Sequence, residues 1–222
     1  FGFSFTFAGT SYTQFSANAN GLMRLGATAI TASSSPIANA AMLGPISGDN
    51  SIQSTGKIHY KVIGSAPDRI LVVEWLNLRV NYSSSDTTGP FCTMQALLYE
   101  TSNRIEYVYG TMHNRSTSSQ SRAVFISSGT TSGAIGCVAT ITTTPSWVTS
   151  GTSLTTTSFA ASSNMTNLHS DADGSRRVFR FDYPDLTAPP NPAIAVAPIH
   201  QATNVSITQA LSWSNGGGMP TG

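Results

Sequence analysis

The sequence predicts an all-β protein, a two-sheet antiparallel β-sandwich that is jelly-roll-like in its pattern of strands. Residues 91–110 (FCTMQALLYETSNRIEYVYG) form two alternating apolar segments around the polar turn Thr101-Ser102-Asn103, which is typical of a β-hairpin. Residues 70–80 (ILVVEWLNLRV) precede this hairpin and predict the third strand of an antiparallel meander. Elsewhere, short apolar segments alternate with turn residues, and no segment shows the sustained period of a long helix.

The first quarter of the chain predicts a strand, a hairpin and a long excursion. Residues 1–7 alternate phenylalanine with small residues, which indicates a strand with one buried face. Asn20-Gly21 is a strong signal for a two-residue hairpin, and residues 22–25 should form the short strand after it. Residues 26–56 are rich in Ala, Ser, Pro and Gly, so we expect a surface excursion with a helical turn near residues 37–43.

The remaining elements complete the sandwich. Residues 57–63, 122–126, 136–141 and 177–181 each predict a strand, which brings the total to roughly nine to eleven. Residues 145–161 are mostly Ser and Thr and predict either a loop or a solvated sheet edge. We expect eight large side chains in the core between the sheets: Phe3, Phe5, Phe7, Val73, Trp75, Leu97, Tyr107 and Phe179.

Composition divides the chain into three parts. Residues 1–184 are the predicted sandwich, and residues 185–193 are a Pro-rich linker that should be stiff and extended. Residues 194–222 predict an incomplete Ig-like or fibronectin-III-like domain, or an assembly strand. This last part is shorter than the roughly 40 residues that a domain usually needs to fold alone. We therefore expect other copies of the chain, or other surface proteins, to cover its apolar faces.

The charge content restricts the classes of partner. Only 9% of the residues are charged and the formal net charge is +1, whereas about 25% is usual. Surface polarity must come from Ser, Thr and Asn, which favours an extracellular or cell-surface location. The scattered basic residues argue against a nucleic-acid partner, because phosphate binding needs clustered Lys and Arg. The longest apolar run, residues 70–76, is too short to span a membrane.

The sequence contains no recognisable catalytic constellation. Glu74, Glu100 and Glu106 lie on predicted strands or at their ends, and their pattern does not indicate the carboxylate pair of a glycosidase. No zinc spacing, nucleophile elbow or phosphate-binding glycine loop occurs. We therefore expect a protein that is not an enzyme.

Several residues are candidates for other kinds of site. Asp171-Ala-Asp173-Gly174 has the alternating carboxylates of a calcium loop, and the alternative is an ordinary Asp-Gly turn. We expect no other cofactor. Cys92 and Cys137 could form a disulfide in an oxidising compartment or could be two buried free thiols. Tyr82 and Trp147 are candidates for stacking against sugar rings.

The order of motifs resembles a known kind of module. The motif FxFxF (residues 3–7) is followed by G-x-x-Y-x-x-F-S-x-N-x-N-G-x-x-x-L-G (residues 9–26), and later by LVVEW, QALLYE and IEYVYG (residues 71–75, 95–100 and 105–110). Together they resemble a β-sandwich module of Bacteroidetes-type secreted surface proteins. The resemblance implies type IX secretion, an adhesin-like role at the cell surface and a following fibronectin-III-like or Ig-like repeat.

The same resemblance bears on two further segments. Asp86-Thr87-Thr88 is similar to the short acceptor motif for O-linked glycans in such exported proteins, which makes Thr87 a glycan candidate. Residues 26–56 depart from the pattern, because related modules often carry Trp and paired Asp there and this chain has only Asp49.

These observations predict a non-enzymatic extracellular structural or adhesive module that assembles into a fibre or surface array through residues 194–222. The alternative is a carbohydrate-binding module. An enzyme acting on polysaccharides is a remote third.

Overall fold

A computed structural model describes residues 1–80, 90–114, 116–129, 135–141, 144–148, 155–159, 163–164, 178–183, 194–197 and 212–214. The chain divides into two compact units, residues 1–183 and residues 184–222. In the described residues all regular structure is β-strand and all strand pairs are antiparallel. The predicted all-β class is confirmed.

The first unit contains sixteen strands in the described residues. They are β1 (Phe5–Phe7), β2 (Thr10–Tyr12), β3 (Phe15–Ala17), β4 (Met23–Leu25), β5 (Met42–Ser47), β6 (Ser51–Ile63), β7 (Ile70–Arg79), β8 (Cys92–Tyr99), β9 (Ile105–Tyr109), β10 (His113–Asn114), β11 (Gln120–Ser127), β12 (Cys137–Ile141), β13 (Thr144–Val148), β14 (Thr155–Phe159), β15 (Ser163–Asn164) and β16 (Val178–Asp182).

Two large sheets form the sandwich. The seven-stranded sheet has the order β13-β12-β16-β9-β8-β7-β6, in which the neighbours β7, β8 and β9 are the predicted three-stranded meander. The five-stranded sheet has the order β14-β11-β5-β4-β3. Two small ribbons, β1-β2 and β10-β15, complete the unit. The described parts of residues 145–161 belong to β13 and β14, each of which is the last strand of its sheet, so this segment contributes sheet edges.

The core lies between the two sheets, on the inward face of each strand. In β8 the burial pattern alternates strictly, because successive side chains of a strand point to opposite faces. The aromatic residues of the core belong mainly to β1, β7, β9 and β16. Each fully buried side chain of this size contributes about 1.5–3 kcal/mol. The largest fully buried aromatic side chains of this core are Phe5, Phe7, Trp75, Tyr107, Tyr109, Phe179 and Phe181.

Buried phenol groups join the two sheets directly. Tyr107 Oη, from β9, donates a hydrogen bond to the carbonyl of Phe125 in β11 at 2.8 Å. Tyr109 Oη, also from β9, donates to the carbonyl of Pro45 in β5 at 2.5 Å. Both phenols are fully buried, so these bonds satisfy groups that have no access to water. They connect the seven-stranded sheet to the five-stranded sheet.

One of the eight predicted core residues is wrong. Seven are at most 7% exposed, whereas Leu97 is only half-buried and its neighbour Leu98 is buried. Register explains the error, because Leu97 pairs with Val72 and Glu106 on the outer face of the seven-stranded sheet. Since β8 is apolar on both faces, its pattern predicts a strand without showing which face is buried.

The predicted surface excursion with a helical turn at residues 37–43 is also wrong. Residues 42–47 form β5, which lies between β4 and β11 and is buried at all six positions. Gly44 is required there, because an added Cβ would lie 2.2 Å from the ring of Phe125. A strand buried on both faces has no polar alternation, which is why the sequence resembles a loop.

Residues 26–41 cover the outer face of the five-stranded sheet. A second apolar cluster forms there around Leu22, Ala40, Met42 and Phe125. Ile30 and Ile37 of the covering segment pack against this cluster.

Two asparagines hold this covering segment. Asn18 Nδ2 donates to the carbonyls of Thr31 and Ser33 at 3.0 and 2.9 Å, and Asn20 Nδ2 donates to the carbonyl of Ser33 at 3.0 Å. Both belong to the connection between β3 and β4, so a hairpin is confirmed at this position. The predicted two-residue turn is wrong, because the connection comprises the five residues 18–22 and Gly21 has a positive φ whereas Asn20 does not. Gly21 has φ +78°, and an added Cβ would lie 2.1 Å from the carbonyl oxygen of Ile46.

The second unit is described at two strands. β17 (Ile194–Ala197) pairs with β18 (Ser212–Ser214) in an antiparallel ribbon whose register shifts between Ala195 and Ala197.

Candidate functional site

A groove opens at one side of the sandwich, between edge strands of the two sheets. β3 ends the five-stranded sheet and β6 ends the seven-stranded sheet. The cavity between them has a volume of about 520 Å³, within the range of roughly 300–1,000 Å³ that is usual for ligand sites. We call it the edge groove. Its lining residues are Phe1, Thr13, Gln14, Phe15, Ser16, Ala17, Gly26, Ala27, Ala29, Ile58, His59, Tyr60 and Val73.

The walls of the edge groove are both aromatic and polar. Tyr60 and Phe15 meet across it edge to face, with ring centroids 5.3 Å apart, and Phe1 lies 5.3 Å from Phe15. Gln14 and Ser16 add an amide and a hydroxyl on the side of β3. Such a mixed lining suits a ligand with both apolar faces and hydrogen-bonding groups.

Edge strand β6 carries two large apolar side chains that are exposed to solvent. Tyr60 is 65% exposed and Ile63 is 41% exposed, and they are the two large exposed hydrophobic residues within the described ranges. They lie on one edge strand but on opposite faces of it, because Tyr60 pairs with the buried Val73 and Ile63 pairs with Ile70 on the outer side. No strand pairs with the outer edge of β6 in the part of the chain that the structure describes.

The outer face of β6 is basic. Lys57, His59 and Lys61 alternate with Ile58 and Tyr60, and their register with β7 places them on the outer face of the seven-stranded sheet. Both lysines are exposed. They are the two lysines of the entire chain.

A carboxylate on the neighbouring strand is bound to this row. Glu74 Oε2 lies 2.5 Å from His59 Nε2, and Gln95 Nε2 donates to Glu74 Oε1 at 2.8 Å. Partial burial raises the pKa of Glu74, but the hydrogen bonds from Gln95 and His59 and the charges of His59 and Lys57 outweigh it. The net pKa of Glu74 is below its ordinary value, so the residue is a structural anion at neutral pH.

A second polar cluster lies further across the same outer face. Arg104 Nε and Arg180 Nε donate to the two carboxylate oxygens of Asp182 at 2.8 and 2.5 Å, and Tyr99 Oη donates to Glu106 at 2.7 Å. Burial raises the pKa of Asp182, but the hydrogen bonds and charges of Arg180 and Arg104 lower it by more. The net pKa of Asp182 is therefore below its ordinary value. Burial, and then the bond to Glu106, raise the pKa of Tyr99 to about 12. We call this the arginine cluster.

Of the two alternatives for the cysteines, the structure has the free thiols. Cys92 and Cys137 are free and buried. They lie on β8 and β12, with β9 and β16 between them, so three strand spacings put them roughly 14 Å apart, too far for a disulfide. Burial raises the pKa of both thiols, that of Cys137 to about 12, which makes them unreactive.

Most other candidate residues lie outside the described residues. These are the calcium candidates Asp171 and Asp173, the stacking candidate Tyr82 and the glycan candidate Thr87. Trp147 lies on β13, at the register position opposite Val138. Within the described ranges, no group of three or more His, Cys, Asp or Glu side chains could hold a metal ion.

The sequence analysis did not find the edge groove. One signal was available, because residues 57–63 (KIHYKVI) hold both lysines and alternate them with apolar side chains. Lysines are frequent on edge strands, where they discourage pairing with another chain. The pattern could therefore have identified β6 as an edge, although it could not show that β3 lies opposite.

The fold and the groove together define an antiparallel β-sandwich module with an open edge. The chain belongs to the NIDO-related family, whose profile matches residues 1–183. This match ends at Tyr183, where the first compact unit also ends. Searches of curated proteins and of solved structures each found no match. Among the described residues, no helix is long and apolar enough to cross a membrane.

Proposed function

We propose that this chain is a non-enzymatic extracellular module of a cell-surface protein and that it binds an extended ligand in the edge groove. The exposed ring of Tyr60 supports this proposal most directly, because Tyr60 is 65% exposed and lines a groove of about 520 Å³. An exposed aromatic ring in a groove with both apolar and polar walls is typical of a ligand site. The module therefore serves as an adhesive part of its parent protein.

Two further observations support an extracellular, non-enzymatic role. Only 9% of the residues are charged, and the surface depends on neutral hydroxyl and amide groups. The strand carboxylates Glu74, Glu106 and Asp182 are each engaged by neighbouring side chains, which gives them a structural role. The resemblance to secreted surface modules, with its implied type IX export, agrees with this location.

Binding arrays test the adhesive role. The fluorescently labelled protein should bind a subset of glycans or peptides on a mixed array, and Tyr60→Ala should remove that binding. Ile63→Ala is the matched control, because Ile63 is exposed on the same strand but does not line the groove. Equal binding by wild type and Tyr60→Ala would contradict the proposal. Release of reducing sugar from a bound polysaccharide, abolished by Glu74→Gln, would instead indicate an enzyme.

A second proposed role is assembly through residues 194–222. The observation that favours it is the ribbon β17-β18, whose strands have only four and three residues. Within the described residues the ribbon has no third strand. A two-stranded ribbon alone is marginally stable at best, so a strand from another copy would stabilise it. Sedimentation should then show assemblies of the 222-residue chain and monomers of residues 1–183. Assembly of the shortened chain would contradict this role.

A further inference from the structure

The basic row of β6 and the edge groove are two sides of one strand. Lys57 and Lys61 face the outer side of the seven-stranded sheet, whereas Ile58 and Tyr60 face the opposite side and line the groove. His59, between the two lysines, also lies against the groove. A ligand lying along this edge could therefore contact the exposed ring of Tyr60 and reach both ammonium groups. Lys57 and Lys61 are four residues apart, so their Cα atoms are roughly 13 Å apart along the strand.

These ammonium groups are available to a ligand. Within the described residues neither lysine forms an ion pair, whereas Arg69, Arg104 and Arg180 are paired with acidic side chains. The carboxylate nearest in register, Glu74, is hydrogen-bonded to His59 and Gln95. The edge of β6 thus presents two exposed positive charges beside one carboxylate that is already engaged.

A second copy of the chain is a poor occupant of this edge. Antiparallel pairing of two β6 strands about His59 would place Lys57 opposite Lys61 of the other copy, and like charges directly opposite each other are destabilising. Residues 194–222 contain no Asp or Glu that could complement the lysines. The charge of this edge therefore favours a ligand from outside the chain, and one that is anionic.

The groove favours a saccharide over an acidic peptide strand. A peptide added to β6 would bind mainly through backbone hydrogen bonds along the edge, which the two lysines discourage. A sugar needs no backbone pairing. Its apolar face packs on an aromatic ring and its hydroxyls bond to polar side chains, which Tyr60, Gln14 and Ser16 provide.

We propose that the edge groove binds an anionic oligosaccharide, with one sugar ring on Tyr60 and the acidic groups beside Lys57 and Lys61. This inference rests on the proposed binding function of the groove and specifies its ligand class. Uronate and sulfate groups share the chemistry that the lysines recognise, so both are included.

Calorimetric titration of the 222-residue protein tests the inference. The probes are tetragalacturonate, a sulfated heparin tetrasaccharide, neutral cellotetraose and hexaglutamate. We expect at least one anionic saccharide to bind, cellotetraose and hexaglutamate to bind more weakly, and affinity to fall as salt screens the charges. The double variant Lys57→Gln/Lys61→Gln should weaken anionic binding by about tenfold or more, and Tyr60→Ala should also weaken it.

Matched variants separate the two levels of the proposal. Ile63→Ala should leave binding unchanged, and near-native circular dichroism of each variant shows that the fold is intact. If cellotetraose binds as tightly, and Tyr60→Ala alone removes binding, the groove functions but the inferred charge is wrong. If hexaglutamate binds best, the ligand is an acidic strand and the saccharide is wrong. If no probe binds, the inference is overturned, while the array experiment still decides the broader binding function.

Discussion

The outer faces of the two sheets differ in how they meet solvent. The five-stranded sheet is covered by its own chain, since residues 26–41 bury Met42 and Phe125. Among the described residues, no such segment covers the outer face of the seven-stranded sheet, where half-buried apolar residues such as Leu97 lie beside paired charges. One sheet is thus buried on both faces at its centre, and the other on one face. The outer face of the five-stranded sheet is thus stabilised by apolar packing, and the outer face of the seven-stranded sheet by ion pairs.

Truncation of one large side chain on each outer face should give the largest contrast. Phe125→Ala empties the covered cluster, so the free energy of unfolding should fall by about 3–5 kcal/mol. Leu97→Ala removes a half-buried side chain from the open face and should cost about 1 kcal/mol. Urea denaturation of both variants measures the difference. Equal losses would show that the two faces are covered to the same extent.

A smaller change tests how tightly the covered face is packed. Gly44→Ala places a Cβ against the ring of Phe125, which an added methyl would approach to 2.2 Å. We expect a loss of about 1–3 kcal/mol from overpacking. The matched control is Ala96→Gly, which removes a methyl group from the inner core. We expect the free energy of unfolding to fall by about 1 kcal/mol, because glycine loses more backbone freedom on folding than alanine. A neutral Gly44→Ala would mean that Phe125 can move aside.

Removal of single hydroxyls compares the inner and outer faces of β8 and β9. Tyr107→Phe breaks the buried bond between the sheets and leaves the Phe125 carbonyl without that donor, so we expect a loss of about 1–3 kcal/mol. Tyr99→Phe removes a half-buried bond to Glu106 in the arginine cluster, and should cost about 0.5 kcal/mol. Thermal unfolding of the two variants measures which substitution causes the larger loss of stability. A larger loss for Tyr99→Phe would reverse the ranking.

The smallest expected effect is a dependence of stability on pH that arises on the open face. The folded pKa values of Glu74 and Asp182 lie below their ordinary values of 4.5 and 3.8. Their stabilisation is therefore complete above the ordinary pKa values and is lost as the pH falls through 4.5 toward the folded values. Urea denaturation between pH 7 and 3 should show this loss.

Two variants attribute the pH dependence to its source. Glu74→Gln should flatten the acid limb of the curve, whereas Leu97→Ala should keep its slope because it changes no titrating group. An unchanged slope in Glu74→Gln would assign the dependence to other carboxylates.

The same difference between the sheets explains what the sequence could predict. Strands β7, β8 and β9 are evident because each has the two-residue alternation of a strand. The alternation failed to place Leu97, since both faces of β8 are apolar and only the register with β7 distinguishes them. It also failed at β5, because a strand without a polar face looks like a loop.

The edge groove was beyond prediction for a different reason. Its two walls are β3 and β6, which are distant along the chain and belong to different sheets. Local pattern identifies each wall separately, but their proximity depends on how the sheets stack. Likewise, the positions of Cys92 and Cys137 in one sheet follow from strand order, which spacing along the sequence does not contain.

The hydroxyls of Tyr107 and Tyr109 have a consequence beyond the core. They bond one sheet to specific carbonyls of the other, so a slide of the sheets by one residue would break both bonds. Because β3 and β6 belong to those sheets, the same two bonds also restrict how far one wall of the edge groove can slide past the other. The groove is therefore preorganised, and a ligand entering it would not have to bear the entropy of ordering its walls.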